Sequence, residues 1–225
     1  MRPEARKIPA AVAAPAFSLV ELLVVVAVLG LLITILAPAL ARARLLAKVT
    51  KAKAELANIA TALEVYHNHH QAYPPARTYC EYGDTVKAPD WAELPIELAR
   101  GGYLPAAPPE GNMTVEAEDP FNPGRTYKYL APGLGFHNGA GTYIGLWVPE
   151  NFPHGDSSKG KDYSNPDDSP VMYVLWSVGT LGDIGYWNAL ARHHPLNPQE
   201  WFPGKDEKGI IVRVRMKNGQ FVLSQ

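Results

Sequence analysis

A single cysteine, Cys80, stands in a chain of 225 residues. That excludes an intrachain disulfide framework and any zinc site built from several cysteines. Charge is also sparse: charged residues make up 19% of the chain and sum to a formal −1. No basic field exists for a polyanion, so nucleic acid is not an expected partner. No nucleophile elbow, phosphate loop or HExxH motif occurs, so nothing supports catalysis and the chain reads as a non-enzyme. Internal repeats are missing too. What the chain holds in quantity is proline, 21 residues, and glycine, 19, the composition of a loop-rich globular part.

Against this background one long apolar run stands out. From Phe17 to Ala41 only Ser18, Glu21 and Thr34 are polar, and Gly30 and Pro38 are the helix-weakening residues. The run meets the ~20 apolar residues that a helix needs to cross a hydrocarbon core. Arg2, Arg6 and Lys7 precede it against one Glu4, which predicts a cytoplasmic N-terminus and an external globular part. Arg42, Arg44, Lys48, Lys51 and Lys53 put positive charge on the far side as well and weaken that orientation. "APALARA" from Ala37 offers a small-x-small cleavage site, but the run exceeds the ~7–15 apolar residues of a secretory signal.

Beyond Pro38, Leu45, Val49, Ala52, Leu56, Ile59, Leu63 and Tyr66 recur at steps of four and three, one apolar stripe on a helix. The pattern predicts a single helix over 17–70, with a membrane half at about 17–41 and an amphipathic half at about 42–70, ended by Pro74-Pro75. A globular domain then occupies 71–225. A short helix is expected near Trp91–Arg100, stopped by Gly101 and Gly102. "TYKYL" from Thr126, "TYIGLWV" from Thr142 and "VMYVLWS" from Val171 read as strands. The stretch between the last two is too polar and broken for regular structure. Asn218-Gly219 marks a hairpin between "GIIVRVRM" and "QFVLS". The expected fold class is α+β, a long helix packed on a small antiparallel sheet.

The segment Ala16-Phe17-Ser18-Leu19-Val20-Glu21, with a short basic leader before it and the apolar helix behind, resembles the start of the type IV pilin superfamily. "ALEVYHNHHQAYPP", "GGYLP", "DPFNPGRTYKYLAPG" and "YVLWSVGTLGD" look most like the major pseudopilins of type II secretion. Ala16 stands where glycine is commoner, and residues 131–169 look like an insertion. The resemblance implies a leader over residues 1–16, cut by prepilin peptidase between Ala16 and Phe17, with N-methylation of Phe17. It also implies assembly through Phe17, Glu21, Gly30 and Pro38 into a periplasmic pseudopilus or a surface pilus of like subunits and other pilin-like subunits, on an inner-membrane platform driven by a cytoplasmic ATPase. The globular domain would be periplasmic.

Glu21 lies four residues beyond Phe17, on the same helix face and near the positive end of the helix dipole. A charge inside a bilayer costs at least ~2.5–3.5 kcal/mol, and such groups pair within assemblies. The resemblance implies pairing with the new amine of a neighbouring subunit. The plainer alternative is a glutamate reaching back to the headgroups.

"SVGTLGD" from Ser177 resembles the calcium-binding loop of major pseudopilins, with Ser177 and Asp183 as ligands. Leu181 replaces the family's aspartate there, and a plain turn is the competing reading. Asp156, Asp162, Asp167 and Asp168 fit no EF-hand spacing. His67, His69 and His70, like His193 and His194, have no carboxylate or cysteine partner in the sequence and read as surface residues. Trp147, Trp176, Trp187 and Trp201 read as core or subunit contacts. Two other functions compete with a filament subunit. One is a membrane-anchored binding protein, using an aromatic face for a ligand such as a glycan; the other is a secreted domain released at "APALARA".

Overall fold

The computed structural model describes residues 18–79, 92–110, 113–154, 159–181, 195–204 and 208–224. Helix α1 (Leu19–His70) runs for 52 residues. Its start is set by Ser18 and its end by Gln71, whose positive φ of 56° and N–H bond to the His67 carbonyl (2.7 Å) form a left-handed cap. The helix therefore stops at His70, four residues ahead of Pro74. Phe17, the expected first residue, lies outside the described residues. The described chain divides at Leu45/Leu46 into two compact units, and α1 contributes to both.

In the first unit every described residue from Ser18 to Arg44 is exposed. In the second, Val49, Ala52, Leu56, Ile59, Ala60, Ala62 and Leu63 of α1 are buried, which matches the expected stripe and adds the small Ala60 and Ala62 beside it. Burying a Leu or Ile side chain is worth about 1.5–3 kcal/mol, so this stripe anchors the helix within the unit.

The remaining elements follow in order: β1 (Arg77–Thr78), β2 (Ala92–Glu93), α2 (Ile96–Arg100), β3 (Lys128–Leu130), β4 (Gly133–His137) and β5 (Ala140–Ile144). After them come β6 (Leu146–Pro149), β7 (Gly160–Tyr163), β8 (Val171–Ser177), β9 (Ile211–Met216) and β10 (Phe221–Leu223). Among the described residues they form a four-stranded sheet in the order β10-β9-β8-β3, another in the order β2-β1-β4-β5, and a β6-β7 ribbon, in keeping with the expected α+β class. Among the described strands, the pairings are antiparallel except that of β1 with β4. Central strand β8 is buried at every residue but Met172, which is why "VMYVLWS" reads as continuous apolar sequence. The Asn218-Gly219 turn joins β9 to β10 as expected, with Gly219 at φ 93°.

Three local expectations are corrected. Helix α2 starts at Ile96, not near residue 91, because Pro95 holds the chain extended and Ala92–Glu93 pair with β1. "TYIGLWV" is two strands, since the chain changes partner at Gly145: β5 pairs with β4, and β6 with β7. The polar stretch after Pro149 does contain a strand, β7. Backbone pairing to β6 supports it, so its exposed Gly160, Lys161 and Asp162 need no apolar alternation. Trp147 packs against Gly160, where an added Cβ would meet the ring at 2.5 Å. Residues 131–169 thus carry β4 to β7.

Candidate functional site

The assembly residues implied by the resemblance gather on the first half of α1. Ala16 and Phe17 lie outside the described residues. At the helix start, the Ser18 N–H donates to Glu21 Oε2 (2.9 Å) and the Glu21 N–H donates to Ser18 Oγ (3.2 Å). This reciprocal pair is a capping box, which satisfies two of the amides that a helix start leaves without partners. Ser-x-x-Glu before an apolar run is its sequence signature, a signal that the sequence reading did not use.

Further along, Gly30, Thr34 and Pro38 are spaced by four and so share a face. Pro38 sits inside the continuous helix and has no N–H for the Thr34 carbonyl. Thr34 Oγ1 donates back to the Gly30 carbonyl at 2.8 Å, a bond that competes with the helix ladder. Open space surrounds Gly30: a Cβ there would meet nothing within 4 Å. The 18-residue window of highest hydropathy has a mean of 3.0 and none of it is buried. Such a surface is long and apolar enough to cross a membrane, and in water it would need cover.

The second candidate region lies at the end of β8. Ser177 is buried, and its hydroxyl donates to Asp119 Oδ1 at 2.7 Å. Asp119 also accepts from the Phe121 N–H (2.9 Å) and from the Val178 N–H (3.0 Å), while the Gly179 N–H donates to Ser177 Oγ (3.1 Å). Burial is the main influence on Asp119 and raises its pKa above the ordinary carboxylate value, with the hydrogen bonds opposing. The arrangement ties the "DPFNPG" turn to the sheet. Calcium takes six to eight oxygens, usually from several carboxylates. The described residues here supply Asp119, already bonded to three donors, and a Ser177 oxygen committed to it. Asp183 lies outside the described residues. The described part of this loop is a turn lock and does not by itself make a calcium shell.

Sequence reading missed a third cluster. Glu64 Oε1 accepts from Tyr73 Oη (3.0 Å), Tyr173 Oη (3.1 Å) and Arg215 Nε (3.1 Å), joining α1 to β8 and β9. Burial pushes the Tyr73 hydroxyl up to about 12 and that of Tyr173 higher, so both stay protonated donors. Tyr127 Oη donates to Glu55 Oε2 one helical stretch earlier. The other singled-out residues take structural places: Trp176 is fully buried, while Trp147 and Trp201 are half-buried. Asp162 lies on β7, and Asp167 and Asp168 belong to a turn organised by Asn165. Asp156, Trp187, His193 and His194 lie outside the described residues.

No family model matches the sequence, and no solved structure matches it. Two curated relatives do. Type II secretion system core protein G of Pseudomonas aeruginosa is 36% identical over 117 residues, covering 52% of this chain and 73% of the relative. The protein of the same name from Aeromonas hydrophila is 28% identical over 147 residues, covering 60% of this chain and 94% of the relative. The second match takes in nearly all of a relative but much less of this chain, so this chain carries substantial added sequence. With an exposed apolar helix leading into an α+β globular unit, and a relative matched over most of its length, the chain belongs to the type II secretion core protein G family, the major pseudopilins, and is a structural subunit of a pseudopilus.

Proposed function

We propose that the chain is an inner-membrane precursor cut between Ala16 and Phe17 by prepilin peptidase and methylated on Phe17. It is then drawn by an assembly platform into a periplasmic filament through bundling of the first half of α1. The observation that carries this reading is an apolar helix surface, none of it buried, whose only carboxylate sits in the first turn. Lipid covers that surface before assembly and neighbouring helices cover it afterwards.

The capping box refines the role of Glu21. In the single subunit the carboxylate is already held by the Ser18 amide, so the helix start is satisfied before docking. Oε1 has no such bond in the box and is the oxygen offered to a neighbour's amine. Charge then sets the register of the incoming subunit, while apolar packing supplies the affinity.

Two substitutions separate capping from pairing. Gln serves as well as Glu in a capping box, so Glu21→Gln keeps the cap and removes the charge, whereas Glu21→Ala removes both. Both variants are expected to insert in the membrane and fail to assemble, read as the loss of subunit–subunit crosslinks in native membranes. Crosslinks from Glu21→Gln at the wild-type level would reduce Glu21 to a helix cap. The N-terminal peptide mass from native membranes tests processing: a methylated Phe17 start is expected, and an intact Met1 would overturn it.

A further inference from the structure

We propose that His69, His70 and Tyr103 bind a divalent transition-metal ion, Cu²⁺ more tightly than Zn²⁺. His69 Nδ1 lies 3.0 Å and His70 Nε2 3.2 Å from the same atom, Tyr103 Oη. Among the described residues no three His, Cys, Asp or Glu side chains converge, so the third donor is a phenol. Two donors about 2.0–2.1 Å from one ion, at an angle of about 95–105°, stand about 3.0–3.2 Å apart. The two nitrogen-to-phenol spacings fall in that range, so an ion can take the place of the two hydrogen bonds that these donors share.

The surroundings favour a cation. His69 and His70 occupy the last turn of α1, at the negative end of the helix dipole. Both are exposed, which leaves room for water to complete the shell. Their partners hold the rings in place: Tyr66 stacks on His70 with centroids 4.2 Å apart and meets Tyr103 edge-on at 5.3 Å. Tyr103 is fixed by the turn after α2, where its N–H reaches the Leu98 carbonyl at 2.8 Å. Its ring lies so close to Gly101 that a Cβ there would meet Cε2 at 2.3 Å. His67 is not part of the group; it stacks on Tyr73 instead, 4.5 Å between centroids. Imidazole nitrogens suit copper, nickel and zinc, and copper heads the affinity order of divalent ions. Binding releases the phenol proton to the surrounding water and leaves a phenolate on the metal.

The test is a titration of the full chain in detergent with Cu²⁺, followed by calorimetry and visible absorption. The wild type is expected to bind one ion at this site and to show a phenolate-to-copper charge-transfer band. Tyr103→Phe should abolish the band and weaken binding roughly tenfold or more, since even outer-shell groups count on that scale. The double variant His69→Ala/His70→Ala should do the same. Gly101→Ala should lose the band with all three donors still present, and His67→Ala should keep it. A wild-type chain saturated with copper that shows no such band overturns the proposal without recourse to any variant. Equal affinity in the wild type and Tyr103→Phe overturns it as well.

Discussion

Leu32 and Leu63 stand on the same helix, yet Leu32 is 51% exposed and Leu63 is 0%. The difference divides the molecule. Around Leu32 the helix is apolar on every side, and its side chains touch nothing that would choose one neighbour over another. In the unit that holds Leu63, carboxylates have named donors: half-buried Glu64 meets two phenols and a guanidinium, and buried Asp119 meets a hydroxyl and two amides. Uniform apolar surface binds without specificity, whereas paired polar groups in a low dielectric permit one arrangement. The first half of α1 thus offers a uniform apolar surface, while the globular unit is held in one arrangement.

The sharpest way to break this comparison is to shorten both leucines. Leu63→Ala should lower the stability of the globular unit by about 2–5 kcal/mol, seen as a lower midpoint in denaturant melts followed by tryptophan fluorescence. Leu32→Ala should leave that midpoint unchanged. Equal losses would mean that the two halves of α1 are not energetically distinct.

A smaller effect is expected at Asp119. Asp119→Ala leaves Ser177 and two amides without their acceptor and should cost about 1–3 kcal/mol. The direction of the pH dependence is fixed by the raised pKa. Between the unfolded and folded values the native state binds more protons than the unfolded state, so stability falls as pH rises through that window. It is regained as pH drops toward the ordinary value. Asp119→Asn removes this slope, and the difference between wild-type and Asn melts across the acidic range just above 3.8 isolates it from other carboxylates.

Smallest is Gly30→Ala, which should stabilise the apolar half of α1 by roughly 1 kcal/mol, because glycine is the poorer helix former and a Cβ there meets nothing. Exchange of the amides near Gly30 and Thr34 in micelles should slow. If filament yield falls while the helix stiffens, a soft segment around Gly30 is part of assembly.

Periodicity made α1 legible, because both a span and an amphipathic stripe are signals carried over many turns. The β9-β10 hairpin was legible from its turn, and β8 from its apolar run. Two-residue strands such as β1 and β2 carry no pattern, and β7 is polar because its support is backbone pairing. Of the candidate site, Glu21 was legible as an anomaly in an apolar run, and its cap was written in the same four residues. Asp119 was hidden because its partners Ser177 and Val178 lie 58 and 59 residues away. Glu64 looked like one more charge beside a stripe, since nothing local reveals three donors from distant strands.

That last carboxylate sets a timetable for synthesis. Tyr73 follows Glu64 by nine residues, Tyr173 by 109 and Arg215 by 151. At about 5–20 residues per second the ribosome needs roughly 8–30 s to deliver the last of them. The apolar start of α1 emerges first and can enter the bilayer early, but the side of the helix that carries Leu56, Ile59 and Leu63 must wait for strands not yet made. The nascent subunit is therefore moored before it can fold, and whatever shields that waiting helix face decides how many chains survive to be assembled.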